Sequence, residues 1–473
     1  MRSRREQIRA YRFVTRRIVS ALLGGDPETA DPPLRRAGLT TFASVMVGAL
    51  VLAGFGVYGL VRPGGSTSWR DGDSLIVAKD TGTRYVYRGD RLHPVLNYAS
   101  ARLVLGAAEP NTVSVSAESL AGVPRGRPVG IAHAPDALPA ADSLHALPWS
   151  VCSASTPTTA KLQVTVAVHR QFGGTDLGDG GLLVSASGER PALLWHGQRL
   201  RIPSRAAMLS LGWTSKPQVT VAPALLNAIP AGPDLVTPDI ERDGEPGPTV
   251  GAEAGTIGTV YRVATAGSDS QYFVLLGDGL AKVSPLVKDL LLVSQNRVSP
   301  EALSPADFAH VPSSAKDVQV DGLPDTEPRL ANEDGDRVSA LCVSRGAHGR
   351  PRIEHYRTAP DALTGRADAA AGGTDEKGGL TADAVLVPGG TGALIRPTAS
   401  QGVPTGVTYL VTDQGIRYAV PNDDARTALG YGDVTAVRLP ESLLDLVPAG
   451  PVLDPAATGQ YVPAAPSPSP SQK

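Results

Sequence analysis

Residues 39–61, LTTFASVMVGALVLAGFGVYGLV, run for 23 positions without a single charge. At about 1.5 Å per residue a helix of that length crosses roughly 30 Å of hydrocarbon. No second stretch of comparable length exists, so the chain is expected to cross a bilayer once and to carry a large body on the far side. A cleaved signal peptide is the alternative. Against it, the apolar run is long, begins late and lacks a convincing A-x-A cleavage site. A buried helix of a soluble domain is seldom apolar on every side.

Charge orients the span. Residues 1–38 hold nine Arg against Glu6, Asp26, Glu28 and Asp31, a balance of 9 − 4 = +5. The whole chain has 44 basic and 46 acidic residues, so the other 435 carry 35 − 42 = −7. Positive charge stays in the cytoplasm, which puts the N-terminus inside and residues 62–473 outside. A net charge of −2 excludes a generally basic nucleic-acid binder.

Within residues 1–38, the stretch 2–23 reads as an amphipathic helix. Arg5, Arg9, Arg12 and Arg16 recur at helical spacing, with Ile8, Tyr11, Val14, Ile18 and Leu22 on the opposite side. Gly24-Gly25 ends it, and Asp31-Pro32-Pro33 forms a rigid approach to the membrane. A basic face of this kind rests on anionic lipid or docks a cytoplasmic partner, and the sequence leaves both open. Arg5, Arg9, Arg12, Phe13, Arg16 and Arg17 are the docking candidates.

The external part contains an internal repeat. YRGDRL (87–92), WHGQRL (195–200), LLGDGL (275–280) and VTDQGI (411–416) each look like the turn of a β-hairpin, with Gly and Asp supplying the backbone geometry. A helical stretch follows, then in three copies a short β-branched run (113–115, 219–221, 434–437). Each copy closes on an apolar residue, two intervening positions, then Val or Ile before Pro. The closings end at Pro124, Pro230, Pro312 and Pro448. Aligning Leu92, Leu200, Leu280 and Ile416 gives nearly constant spacing to those prolines.

Units of about 50 residues bury too little surface to stand alone, so they are expected to pack on something shared. The expected layout is repeats at 75–126, 182–235, 271–315 and 405–455, around a central β-domain built from 150–180, 255–266 and 336–358. Two repeats before the middle and two after suggest pseudo-twofold symmetry. Stretches 241–248 and 367–379 and the tail 464–473 read as disordered. The fold class is therefore a single-pass membrane protein with an α+β, β-rich ectodomain. Cys152 and Cys342, the only cysteines, lie in the outer two central segments. An even pair in an oxidising compartment forms a disulfide, the alternative being two buried thiols. The bond would close a loop of about 190 residues, worth roughly 5 kcal/mol in the chain-entropy model.

Catalytic signatures are missing. A phosphate loop needs G-x-x-x-x-G-K-[ST], and Gly-Lys occurs nowhere in the chain. There is no H-E-x-x-H, no G-x-S-x-G and no cysteine cluster. His348 and His355 are the only nearby histidine pair in the central segments, and no carboxylate spacing singles out an acid/base pair. No catalytic residue, metal or cofactor is expected, and nothing compels an enzyme.

Gln7, Ala10, Arg12-Phe13, Arg16-Arg17, Ala21-Leu22, the span after Asp31-Pro32, and HPVLNYASARLVLG (93–106) resemble the EccB component of type VII (ESX) secretion systems. The resemblance covers nearly the whole chain. It implies an actinobacterial source and a structural, assembly role in the inner-membrane secretion complex, beside subunits of the EccC, EccD and EccE families, with self-association. It also implies an elongated ectodomain of four repeats around a central β-domain. The family's repeats are likened to wall-binding modules, so a membrane-anchored peptidoglycan-binding module is one alternative function. Some members carry an ATPase label, which makes weak ATP hydrolysis another.

Overall fold

The computed structural model describes residues 4–24, 33–61, 68–155, 162–264, 267, 269–333, 335–347, 349–364, 381–399 and 402–459. Helix α1 (Arg4–Gly24) precedes α2 (Pro33–Val61), whose apolar window Gly38–Val57 is long enough to cross a membrane and is not buried against the rest of the chain. Pro33 is the first residue of α2, a first-turn position whose N–H would have no acceptor within the helix. The expected rigid approach is thus replaced, at Pro33, by helix. Residues 25–32 lie outside the described set.

The first sheet holds β1 (Ser74–Ala78), β2 (Arg84–Arg88), β3 (Arg91–Pro94) and β4 (Asn111–Val115), with helix α3 (Tyr98–Leu105) between the last two. Its strand order is β3-β2-β1-β4: an antiparallel meander to which the returning β4 adds parallel to β1. A short 3-10 turn, Ala117–Leu120, closes it. Next come β5 (Trp149–Ser155), β6 (Leu162–Val168) and β7 (Thr175–Asp176) of the central sheet. The second sheet follows with β8 (Leu182–Ser185), β9 (Ala192–Trp195), β10 (Gln198–Arg201), α4 (Arg205–Ser210), β11 (Val219–Thr220) and the closing helix α5 (Pro223–Ala228). A hairpin, β12 (Pro246–Val250) and β13 (Glu253–Thr256), leads into the third sheet. That sheet has β14 (Val260–Val263), β15 (Gln271–Leu276), β16 (Gly279–Val283), α6 (Pro285–Ser294), β17 (Glu301–Leu303) and α7 (Pro305–Phe308). The chain then returns to the central sheet with β18 (Ala340–Arg345) and β19 (Arg352–Tyr356), passes through α8 (Asp361–Thr364), and adds β20 (Ala384–Leu386). The fourth sheet has β21 (Gly392–Thr398), β22 (Thr408–Thr412), β23 (Arg417–Val420), α9 (Asp423–Ala428), β24 (Val437–Pro440) and α10 (Glu441–Leu444).

All four four-stranded sheets share one order, third-second-first-fourth, with the last strand parallel to the first. Local chemistry sets the helix that interrupts each. Asn97, Ser204, Ser284 and Asn422 each accept a hydrogen bond from the backbone N–H three residues on, capping α3, α4, α6 and α9.

The central sheet runs β20-β6-β5-β18-β19-β7. The expected second central segment, 255–266, is not part of it. Strand β14 pairs with β15 and β17, so it opens the third sheet, while β20 takes a place in the central one. The third and fourth sheets consequently begin with β14 and β21, earlier than the expected 271 and 405. Residues 241–248, expected to be disordered, form a turn and the start of β12. The stretch 367–379 and the tail 464–473 fall outside the described residues.

Candidate functional site

Helix α1 presents side chains to its surroundings along nearly its whole length. Phe13 is 64% exposed, and Ile8, Tyr11, Val14, Ile18 and Leu22 are all more than half exposed. Such an apolar stripe is stable only against another apolar surface. Arg5, Arg9, Arg12 and Arg16 are exposed on the other side of the helix, and the Arg17 guanidinium sits 5.8 Å from the Phe13 ring centre. All six docking candidates therefore share one helix.

The β-rich body that follows α2 is held together by helices acting in pairs. Helix α3 of the first sheet packs on α9 of the fourth, and their residues, among them Leu103, Ala425 and Leu429, belong to one core. Arg102 donates to the Leu429 carbonyl at 2.8 Å, and the Tyr431 hydroxyl donates to the Pro139 carbonyl at 2.9 Å. Burial pushes the Tyr431 phenol well above its ordinary range. In the same way α4 of the second sheet packs on α6 of the third, with Met208 and Leu211 meeting Leu286 and Leu290. The closing helices α5 and α10 touch each other and share a core with Val151, Val166 and Leu341 of the central sheet.

The four closing prolines have one structural role. The carbonyls of Pro124, Pro230, Pro312 and Pro448 accept from the backbone N–H of Leu92, Arg199, Leu280 and Arg417. In each case the residue two beyond the proline then donates back to the same position of the third strand. A short fifth edge is thereby zipped onto every sheet. The equivalent residues in the second and fourth sheets are Arg199 and Arg417, one position away from Leu200 and Ile416, the residues that the repeat spacing matches.

Cys152 and Cys342 face each other across β5 and β18 and are disulfide-bonded, at 0% and 1% exposure. They point away from the core shared with α5 and α10, toward Tyr356 and Leu363 of α8. Nearby, burial followed by the charge of and hydrogen bond to Glu354 pushes the Tyr356 phenol far up. Burial, with Arg357 as the next cause, lowers the His355 imidazole below its ordinary value. These are shifts of packed side chains. Among the described residues no three of His, Cys, Asp or Glu converge as metal ligands, and His348 lies outside that set.

The family model for the type VII secretion system ESX-1, transport TM domain B, matches residues 2–463. The ESX-5 secretion system ATPase EccB5 of Mycobacterium tuberculosis is 31% identical over 477 residues, spanning 95% of this chain and 92% of the relative. A chain in the structure of an intact ESX-5 inner membrane complex is similar at TM-score 0.67 and 27% identity, covering 100% of this chain and 98% of that one. A chain of an EccB3 dimer from the ESX-3 core complex shares the fold, with TM-score 0.66 and 24% identity over 82% of this chain and 100% of the other.

Proposed function

This chain belongs to the EccB family of type VII (ESX) secretion systems, and from that membership we propose that it is a structural and assembly subunit of an inner-membrane secretion complex. The observation that carries the reading is end-to-end likeness, in sequence and in fold, to a subunit of an intact ESX-5 inner membrane complex. In this reading α2 anchors the chain in the bilayer, α1 lies in the cytoplasm, and the disulfide-bonded β-rich body lies outside. The excess of arginine on the N-terminal side of α2 supports that orientation, as does a disulfide on the other side.

The basic stripe of α1 is the docking site for cytoplasmic portions of EccC, EccD and EccE family subunits, and the ectodomain self-associates to frame an exit path. The four sheets are copies of one unit arranged in two pairs, first with fourth and second with third, on either side of the central sheet. Matching pairs of helices, α3 with α9 and α4 with α6, support the pseudo-twofold relation. The relative's name includes the word ATPase. The absence of Gly-Lys from the sequence favours the assembly role for this chain.

The test is recovery of the motor subunit by pull-down with full-length protein in which Arg5, Arg9, Arg12 and Arg16 are all changed to Glu. Loss of recovery, with liposome binding measured alongside, supports docking through α1. Undiminished recovery would leave α1 with a lipid-surface role only. ATP turnover by the purified full chain that persists through a second chromatographic step would overturn the non-enzymatic part of the reading.

A further inference from the structure

The first sheet carries a basic cavity whose charged positions are uncharged in its three counterparts. Arg91, His93, Arg125, Gly126 and Arg127 line a cavity of about 640 Å3 where the fifth edge runs along β3. The backbone pairing of the closing prolines fixes the equivalent positions in the other sheets. Arg91 corresponds to Gln198, Gly279 and Ile416; His93 to Leu200, Ala281 and Tyr418; Arg125 to Ala231, Ser313 and Ala449; Arg127 to Pro233, Ala315 and Pro451. Twelve equivalent positions hold no charge, whereas the first sheet places three guanidinium groups and an imidazole there. The backbone pairing is common to all four, so the fold does not require the charges.

Arg91 and Arg125 are also short of counter-charge among the described residues. Asp80 accepts from the Ala117 N–H, Asp90 from the Tyr87 hydroxyl and Asp136 from Arg84, while Asp71 holds Ser74. Among the described residues no carboxylate is paired with Arg91 or Arg125, and the Arg125 guanidinium lies 4.5 Å over the Tyr85 ring. The His93 Nδ1–H donates to the Arg127 carbonyl at 2.9 Å, which fixes the ring. A Cβ at residue 126 would lie 2.3 Å from that ring, so Gly126 leaves the space that the His93 ring occupies.

Position in the chain suggests the ligand. Helix α2 ends at Val61, and the next described element begins at Ser68. Seven residue steps reach at most about 25 Å even fully extended. The first sheet is therefore tethered next to the bilayer surface. Guanidinium groups recognise phosphate oxygens in paired, charge-assisted hydrogen bonds. We infer that the cavity lined by Arg91, His93 and Arg125 binds the phosphodiester headgroup of an anionic membrane lipid, which fixes the first sheet to the membrane surface. This assignment is independent of the secretion role.

The full chain in detergent, titrated with phosphatidylglycerol and read by native mass spectrometry, tests it. Wild type should bind one phosphatidylglycerol about tenfold more tightly than the Arg91→Gln/Arg125→Gln double variant, the size of one lost charge-assisted hydrogen bond. Arg125→Gln alone, at an exposed site, should lose a smaller part and serves if the double variant does not fold. Arg91→Lys should retain most of the affinity. A variant with Arg262→Gln, an exposed arginine on β14 of the third sheet, should keep this tight lipid. Equal phosphatidylglycerol affinity in wild type and double variant would overturn the inference, as would an equal wild-type preference for zwitterionic phosphatidylcholine. Soluble glycerol phosphate matching phosphatidylglycerol at equal phosphate would overturn the lipid source. A change of oligomeric state in the double variant with lipid affinity unchanged would assign the cavity to a protein contact instead.

Discussion

The second and fourth sheets share their strand order with the first and third, yet they are packed differently. One face of the second and of the fourth sheet lies on a partner sheet, and the other lies on the central sheet through α5 or α10. Their closing helices are accordingly apolar: Leu225 and Leu226 in α5, and Leu443 and Leu444 in α10, are buried. The outer pair has no central sheet to lean on. The first sheet covers its free face with Trp69, from the turn just after the membrane helix. The third uses the β12–β13 hairpin, whose Gly247 and Gly255 let Leu275 approach its backbone closely. No residue of α7 is buried. One topology thus tolerates two sets of closing residues, because the neighbour and not the strand order decides which side chains must be apolar.

Breaking the inner layer should have the largest effect. Reduction of the disulfide, or Cys152→Ser, removes up to about 5 kcal/mol of loop-closure stabilisation. Thermal unfolding followed by circular dichroism should fall by several degrees. Equal melting curves for oxidised and reduced protein would show the bond to be energetically idle. Next in size, Leu225→Ala should cost about 2–5 kcal/mol, as for a fully buried leucine. Phe308→Ala at the equivalent outer helix, where the ring meets Phe273 at 4.6 Å between centres, should cost only about 1 kcal/mol. Comparable losses in denaturant titrations would erase the inner–outer distinction. Tyr431→Phe removes the hydroxyl bond between the fourth sheet and Pro139 and should cost about 1 kcal/mol.

The smallest effect is a pH dependence of the central sheet. Burial, and then Arg357, hold the His355 imidazole below 6.5, with Asp336 opposing. The unfolded chain therefore takes up the proton at higher pH than the folded one. Stability contributed by neutral His355 is present above about pH 6.5 and is lost as pH falls toward the folded value. His355→Gln should flatten melting temperature between about pH 7 and 5. A wild-type slope unchanged in the variant would place that titration elsewhere.

Membrane span, hairpin turns and closing prolines were legible in the sequence because each is a local signal. The partner of a strand is not. VYRV in β14 has the same apolar character as a central strand, and only its pairing with Gln271–Val274 and Glu301–Leu303 places it in the third sheet. Glu301-Ala302-Leu303 lacks the β-branched residues that marked its three counterparts, so β17 carried no cue. The one-residue slip at Leu200 and Ile416 arose because an apolar residue flanks the true docking position, occupied by arginine, in both copies. The helix α1 and its arginine stripe were readable from spacing alone. The basic cavity was not, since Arg91 and Arg125 lie 34 positions apart and meet only when the fifth edge closes.

The disulfide has a topological consequence. Chain order places the second and third sheets wholly between Cys152 and Cys342, a separation of 190 residues, so that bond closes a covalent ring around them. A single protease cut inside the ring leaves one molecule on a non-reducing gel, its two pieces still linked. A cut in 365–380, beyond the ring, frees the fourth sheet as a separate polypeptide. The Gly130 N–H donates to the Thr458 carbonyl, so a fourth sheet freed in this way still keeps a backbone contact with the first unit. The ring can therefore be nicked without separating the second and third sheets from the membrane anchor.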